Sequence, residues 1–384
     1  MRGHVHRRGA GWAYVADVGL DPVTGRRRQR TKSGFITKRE AEQAVRAVLE
    51  EVRVGAYVPP STETVGAYLA GWVERAKPNL RRTSWDGYRK AVMHLTSQLG
   101  SMPLQQLKPV HLEACYAELT TSGGSRGQGL SAKTIGNAHA VMRRALGDAE
   151  RLGLVARNAA RLARPPKVEH VDMPTWTSHE LGLFLDSVRE DRLYAAFVVL
   201  ATTGMRRGEL LGLRWADLDL DAGHLSVKQT ITASNYVIIV GPTKTARSRR
   251  RIELDPVTVE ALRQHRKAQA AERLAVGSEW LSEDLVFCEL NGAPLHPDRF
   301  TRYFRRRVSR VAVPAIRGPH DLRHTWATLA LKAGVHPKVV SDRLGHSTIS
   351  ITLDIYSHVT PSLDADAANA VASAIFERAD TDAR

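Results

Sequence analysis

The 384-residue sequence has no run of about 18 apolar residues, so no segment is predicted to cross a membrane. The N-terminus, MRGHVHRRGAGWAYV, lacks the apolar stretch of a secretory signal. Only two cysteines occur, Cys115 and Cys288, and they are far apart. Neither a disulfide framework nor a cysteine zinc motif is therefore expected. These absences favour a protein of the reducing cytoplasm. Whether it is associated with DNA there depends on its charge.

Acidic residues are scarce beside basic ones. Asp and Glu number 40 against 56 Lys and Arg, which gives a net charge of +16 and a pI near 10.2. A charge of this sign indicates a polyanionic partner, most commonly nucleic acid. The first 172 residues carry +13 of the total. Arginine outnumbers lysine 44 to 12. That ratio suits bidentate phosphate contacts, although GC-rich codon usage would produce the same bias.

The length predicts two or three domains. Residues 1–58 are predicted to form a small sheet with one helix, which has Thr37 as its N-cap and Gly55 at its end. A linker, VPPST, separates them from residues 63–164, where apolar residues recur at helical spacing. Four helices are predicted there, at about 64–76, 83–99, 109–121 and 131–152.

The third predicted domain spans residues 173–384 and follows a proline-rich linker, ARPPKVEHVDMPTW. Helices are predicted near 178–189 and 192–203, then a β-patterned stretch that contains YVIIV and RRIEL, then further helices from about 256. A short helix is predicted in the C-terminal tail, over about 361–379. The fold class is therefore α+β, mostly α, with a small antiparallel sheet in the first and third domains.

The stretch PHDLRHTWATLALKAG, residues 319–334, has the apolar spacing of a helix. His320 and Arg323 are three residues apart and share one face of it. His320 and His324 also have the spacing of a zinc-protease helix. A metal reading is not favoured, because Asp321 stands where a longer Glu would act as base and Arg323 would oppose a dication. A cation beside a histidine suits an anionic substrate such as a phosphodiester.

Two further segments contain candidate residues. In TTGMRRGE a helix should end near Thr203, so that Arg206 lies at a turn where its side chain can reach a cleft; Glu209 could hold it in place. Lys244 lies between the strands YVIIV and RRIEL and is predicted to be on a hairpin turn. The alternative for the Arg206 segment is the start of a surface helix with no function in catalysis. The alternative for Lys244 is a solvated lysine on a turn. A lysine on a mobile turn could also protonate a leaving oxygen.

These residues, with LGH and DIY near the C-terminus, occur in an order that resembles the tyrosine recombinases, the phage-integrase family. The pairing of HDLRHTWAT with LGHSTISITLDIYSH is highly specific for that family. The resemblance is firm over about 173–360 and weaker for the two N-terminal domains. Tyr356 follows His346 by ten residues, where several members have nine. The resemblance to this family implies six catalytic residues: Arg206, Lys244, His320, Arg323, His346 and Tyr356.

The resemblance implies a site-specific recombinase that works through a 3′-phosphotyrosyl intermediate formed by Tyr356. Arg206 and Arg323 would hold the phosphate, Lys244 would protonate the leaving 5′-oxygen, and the histidines would assist. No metal or other cofactor is expected, because one phosphoester replaces another. A type IB-like topoisomerase is the nearest alternative. A non-catalytic DNA-binding regulator, in which residues 334–359 form a helix-turn-helix and Tyr356 is a core residue, is the other.

The family also implies double-stranded DNA as partner, with core-type and arm-type attachment sites, a homotetramer on DNA, and an accessory DNA-bending protein or excisionase. Residues 1–58 would bind arm sites and residues 63–164 core sites. Integration or excision of a phage or mobile element is the implied process. The candidate DNA-binding residues are Arg26, Arg27, Arg28, Arg30, Lys32, Arg81, Arg82, Arg89, Lys90, Lys133, Arg143 and Arg144.

Overall fold

The computed structural model describes residues 2–20, 24–124, 127–169, 173–243, 249–281, 283–346, 348–350, 352–353, 371–373 and 375–376. The chain divides into two compact units, Met1–His170 and Val171–Arg384. Within the described ranges, every helix is too short or too polar to cross a membrane.

The first unit begins with an antiparallel sheet of order β1-β2-β3, covered by one helix. The elements are β1 (Gly3–Arg8), β2 (Gly11–Leu20), β3 (Arg27–Phe35) and α1 (Lys38–Arg53). Thr37 caps α1, as its position in the sequence predicted, and the structure adds a reciprocal capping box with Glu40. A small apolar core between sheet and helix contains Tyr14, Ala16, Val45 and Val48.

Four helices complete the first unit: α2 (Val65–Ala76), α3 (Arg82–Leu99), α4 (Pro109–Ser122) and α5 (Ala132–Arg151). Their bounds confirm the predicted helices to within one residue or two. The helices enclose a separate apolar core. Two polar groups on α2 tie it to α5: the Tyr68 hydroxyl donates to the Ala145 carbonyl at 2.7 Å, and Trp72 Nε1 donates to Asp148 Oδ2 at 2.8 Å.

The second unit contains the remaining helices and two small sheets. In chain order the elements are α6 (Ser178–Ser187), α7 (Tyr194–Thr203), α8 (Arg207–Leu211), β4 (Leu218–Asp219), β5 (His224–Val227), β6 (Gln229–Ser234), β7 (Val237–Pro242), β8 (Arg250–Glu253), α9 (Pro256–Val276), α10 (Pro297–Val308), α11 (Pro319–Lys332) and α12 (Pro337–Leu344). The mostly helical fold class with small antiparallel sheets is confirmed.

Helix α7 is the centre of the second unit. Its sequence, YAAFVVLATT, is apolar on all sides, and nearly every residue is buried. Phe197 packs against Phe184, Phe300 and Phe304 in the main core. The helix ends at Gly204 in the left-handed conformation, with φ 63°. This buried, rigid helix therefore fixes the position of whatever follows it.

The hairpin predicted between YVIIV and RRIEL is wrong. Strand β7 pairs with β6, whereas β8 pairs with β5. The two strands therefore belong to different sheets, β8 to the sheet of order β4-β5-β8 and β7 to the two-stranded sheet with β6. Both β7 and β8 pair with a strand that precedes them in the sequence. The alternation of apolar residues along one strand does not show which other strand it pairs with. Lys244 itself lies outside the described residues.

Candidate active site

The ends of four helices meet in the second unit. Arg206 follows the last turn of α7 and caps α8, and His320 and Arg323 lie in the first turns of α11. His346 follows α12, which ends at Gly345 with φ 66°. Glycine permits this left-handed conformation without strain, so Gly204 and Gly345 each turn the chain sharply at a helix end. Functional side chains are thereby aimed from rigid helices toward one region.

Arg323 is the buried member of the site, with 3% of its surface exposed. Its Nη1 donates to the Gly204 carbonyl at 2.9 Å and its Nη2 to the Leu344 carbonyl at 2.7 Å. The guanidinium thus binds the C-terminal ends of α7 and α12, where helix carbonyls are unpaired and the dipole is negative. Burial, and then the charge of Arg206, lower the pKa of Arg323 to about 9, so it remains a cation at neutral pH.

Arg206 remains open to solvent, with 37% of its side chain exposed. Nη1 donates to Glu209 Oε1 at 2.8 Å and Nη2 to the Gly345 carbonyl at 3.1 Å. Glu209 is 4% exposed and also accepts from the Arg206 backbone amide. Burial raises the pKa of Glu209, but hydrogen bonds and charges of Arg250 and Arg206 outweigh it, so the net pKa is lowered. The carboxylate therefore stays ionised and holds Arg206, as the sequence predicted.

The two predicted histidines are neutral at pH 7. Burial, followed by Arg323 and Arg206, lowers the pKa of the half-buried His346 to about 4. Desolvation, and then the neighbouring His324 and Arg323, also lower the pKa of His320, although the residue as a whole is exposed. A phosphate placed near these rings would reverse the shift, since an anion stabilises an imidazolium.

Hydrogen bonding also orients His346. Its Nδ1 lies 2.8 Å from the hydroxyl of the fully buried Thr352. This contact directs the other ring nitrogen, Nε2, away from Thr352 and fixes the plane of the ring.

The rings of His320 and His324 meet edge to face, with centroids 5.3 Å apart. In the described part of the chain, no group of three or more His, Cys, Asp or Glu residues has the arrangement of a metal site. Among the described residues, Arg206 and Arg323 bring two guanidiniums to this place, and a third, that of Arg250, binds Glu209 beside them. The like charges of Arg206 and Arg323 repel, and an oxyanion bound by both would relieve that repulsion.

The structure therefore brings together five of the predicted residues: Arg206, Glu209, His320, Arg323 and His346. Lys244 and Tyr356 lie outside the described residues, as does most of the predicted tail helix, of which 371–373 and 375–376 are helical.

The predicted DNA-binding residues of the first unit lie at its surface, with Arg30 half-buried over the ring of Tyr57 and the others exposed. On α3 and α5 the structure adds a feature that the sequence did not reveal. The guanidinium of Arg89 lies 4.9 Å from the centre of the Trp85 ring, and Lys77 lies over the same ring at 4.6 Å. Arg144 donates to the Tyr88 hydroxyl at 2.8 Å. These aromatic contacts hold basic side chains in place at the surface.

Arg250 and Thr352 are the residues of the site that sequence reasoning missed. A signal existed for Arg250: in the strand RRIE, residues 250 and 252 share a face, and Ile252 is an obvious core residue. An arginine on an inward face should have a buried acceptor. Thr352 had no comparable signal, because its buried position depends on the fold after α12.

Comparison with known proteins agrees with this geometry. Residues 177–362 match the Phage integrase family, residues 4–52 an Arm DNA-binding domain, and residues 64–120 the Phage integrase N-terminal SAM-like domain. The integrase of Mycobacterium phage D29 is 30% identical over 292 residues, which are 75% of this chain and 73% of that protein. A tyrosine recombinase XerC-like protein of Caldanaerobacter subterraneus is 29% identical over 348 residues, 85% and 87% of the two chains.

Solved structures share the fold. The Tn1549 transposon integrase in complex with transposon right end DNA has a TM-score of 0.66 at 23% identity, covering 76% of this chain and 94% of that one. A lambda integrase tetramer bound to a Holliday junction has a TM-score of 0.57 at 18% identity, covering 91% and 94%. The chain belongs to the phage integrase family. It is thus a tyrosine recombinase, an enzyme of site-specific DNA recombination.

Proposed function

We propose that this enzyme cuts and rejoins DNA at specific attachment sites to integrate or excise a phage or other mobile element. The observation that carries the proposal is the convergence of Arg206, Arg323 and His346 at the carbonyl end of α12. Two fixed guanidiniums beside neutral histidines form a site for one phosphodiester, and DNA is the polyanion that the net charge of +16 favours.

In the proposed reaction the Tyr356 oxygen attacks the scissile phosphorus, and the bond to the 5′-oxygen breaks. The phenol loses its proton during attack, since its ordinary pKa is near 10 and the neutral hydroxyl is a weak nucleophile. Lys244 supplies a proton to the leaving 5′-oxygen. Arg206 and Arg323 bind the non-bridging oxygens, whose charge grows in the transition state. The product is a 3′-phosphotyrosyl bond and a free 5′-hydroxyl. In the reverse step a 5′-hydroxyl, from the same or a second strand, attacks the phosphorus, the bond to the Tyr356 oxygen breaks, and the phenol regains its proton.

His346 would donate a hydrogen bond to the phosphate through Nε2, because its Nδ1 already contacts Thr352. His320 would assist proton transfer by accepting the phenol proton as Tyr356 attacks. Glu209 would keep Arg206 in place without touching DNA, because its carboxylate is buried under that side chain. Neither ATP nor a metal ion enters this scheme.

Three parts of the chain would share DNA recognition. Residues 1–58 would bind arm-type sites through Arg26, Arg27, Arg28, Arg30 and Lys32, and residues 63–164 would bind the core site through the basic side chains of α3 and α5. Residues 173–384 would contain the catalytic site and the tail. A homotetramer would hold two core sites, as the lambda integrase tetramer holds a Holliday junction. An accessory DNA-bending protein or excisionase would set the direction of the reaction.

The direct test is Tyr356→Phe, which removes the hydroxyl with little change of shape. The variant should bind core DNA like the wild type and form no covalent adduct with a nicked suicide substrate. Cleavage by the wild type should persist in excess EDTA. A normal adduct in the variant, or cleavage that returns only with a divalent ion, would contradict this mechanism.

A further inference from the structure

Arg250, the first residue of β8, is buried beside the candidate active site, with 7% of its side chain exposed. Its Nη2 and Nη1 donate to both oxygens of Glu209, at 2.8 Å to Oε2 and 3.2 Å to Oε1. Its Nε donates to the Arg343 carbonyl at 2.6 Å. The guanidinium of Arg250 therefore links the Glu209 carboxylate, which binds Arg206, to the end of α12.

The carbonyl end of α12 is held by arginines from three segments of the chain. Arg250 binds the carbonyl of residue 343, Arg323 that of residue 344, and Arg206 that of residue 345. These carbonyls have no partner within the helix, and the negative end of the helix dipole favours cations there. Arg206 and Arg250 also share the Glu209 carboxylate, and of these two Arg250 is the more buried, with 7% of its side chain exposed against 37% for Arg206.

We infer that Arg250 is a positioning residue for strand cleavage, one that sets Arg206 and His346 relative to each other. Arg250 binds Glu209, which in turn binds Arg206. It also binds the carbonyl of residue 343, at the end of the helix that precedes His346. Its burial keeps it from DNA. The inference rests on the proposed recombinase function and identifies the residue that holds Arg206 and His346 at a fixed distance and orientation.

The physical argument concerns the freedom of Glu209. Arg206 itself donates to both Glu209 oxygens, through Nη1 and through its backbone amide, and Arg250 adds a two-point contact from a separate strand. Without Arg250, the hydrogen bonds of the carboxylate are to Arg206 alone, so Glu209 and the Arg206 side chain can shift together. A displacement of about 1 Å in a group that must meet a transition state costs about 10²-fold in rate. Affinity for DNA depends on many phosphate contacts and should change little.

The test uses the full-length protein with Arg250→Met and Arg250→Lys. Lysine keeps the charge and cannot contact both Glu209 oxygens and the residue 343 carbonyl at once. The matched control is Arg251→Met. Arg251 is the next residue of the same strand, faces outward with 57% of its side chain exposed, and pairs with Glu253. For each protein we would measure the thermal midpoint, the Kd for core DNA, and the single-turnover rate constant for covalent adduct formation.

Arg250→Met should slow adduct formation by about 10²-fold, with Arg250→Lys intermediate, Kd within about threefold, and Arg251→Met unchanged. The single-turnover rate constant separates positioning from folding, because a smaller folded fraction lowers the amplitude and leaves the rate constant alone. A wild-type rate constant in Arg250→Met, with only amplitude or thermal midpoint reduced, would overturn the inference.

A charge-neutral substrate gives a second readout that a purely structural role would not change. A methylphosphonate at the scissile position removes the anion that Arg206 must meet. The difference in rate constant between wild type and Arg250→Met should then shrink from about 10²-fold to less than about tenfold. An undiminished difference would refute action through Arg206. If the wild type itself forms no Tyr356 adduct on the ordinary substrate, the proposed function fails, and that result is distinct from a failure of the Arg250 variants alone.

Discussion

Gly204 ends α7 two residues before Arg206 and binds Arg323 through its carbonyl, so replacing it with alanine should damage stability and cleavage together. Its φ of 63° is left-handed, and a Cβ there would be 2.6 Å from Leu344 Cδ2 and 3.0 Å from Trp326 Cε3. Its carbonyl accepts from Arg323 at 2.9 Å. The two neighbours belong to α12 and α11, so Gly204→Ala would push apart the helix ends that form the site.

The expected cost has two parts. Alanine in a left-handed conformation costs about 1–2 kcal/mol, and forcing a methyl group into packed neighbours costs about 1–3 kcal/mol more. The free energy of unfolding should therefore fall by about 2–5 kcal/mol. Gly334 isolates the second part. It also ends a helix with a left-handed φ, 79°, yet among the described residues no atom lies within 4 Å of its Cβ position. Gly334→Ala should cost only about 1–2 kcal/mol.

Thermal unfolding of wild type and both variants tests this arithmetic. For a unit of this size each kcal/mol lowers the midpoint by about 2–4 °C, so Gly204→Ala should melt measurably below Gly334→Ala. Any entropy that alanine removes from the unfolded chain cancels between the two. Gly204→Ala should also slow single-turnover cleavage, and Gly334→Ala should not. Equal midpoints for the two variants, or full cleavage by Gly204→Ala, would refute the packing argument.

The remaining predictions concern protons, a hydrogen bond and the first domain. In mildly acidic buffer, binding of core DNA should take up protons, because the pKa of His346 is about 4 and a phosphate would raise it; calorimetry in two such buffers should show less uptake in His346→Gln. The pKa of Glu209 is lowered in the folded state, so its contribution to stability is complete above its unfolded pKa and is lost as pH falls through the folded one. Urea unfolding of Glu209→Gln should therefore differ from wild type at pH 7 and converge with it in acid. Thr352→Val should slow cleavage about tenfold by freeing the His346 ring, and Thr352→Ser should restore it. Deletion of residues 1–58 should spare core-site cleavage and abolish binding to arm sites, whereas uniform weakening on every DNA would contradict an arm-specific role.

Local signals in the sequence predicted several helix ends, including one at the site. Thr37 marks the start of α1 and the glycine after Thr203 marks the end of α7, and the structure places these helix ends as predicted. The helix α11 was predictable for the same reason, since its apolar spacing and the residues His320 and Arg323 lie within one short segment.

Contacts between distant segments were not predictable in this way. The pairing of β7 with β6 and of β8 with β5 depends on which strands meet, and alternation along one strand is silent about that. Arg250 illustrates the same limit. Its neighbours, Glu209 and residue 343, are 41 and 93 residues away in the sequence, so its role follows only from the fold.

The arrangement explains why the site can hold two cations close together before any phosphate arrives. Arg323 gives up its hydration, and each of its two terminal nitrogens receives a helix carbonyl in exchange. Arg206 obtains a carboxylate and a third carbonyl. Backbone dipoles fixed by α7 and α12 thus replace water, and they need no reorganisation when charge develops on a bound phosphate. Because both arginines bind carbonyls at the end of α12, the site is sensitive to the position of this helix end. A change that rotates it moves a carbonyl acceptor of each arginine and the backbone of His346 together.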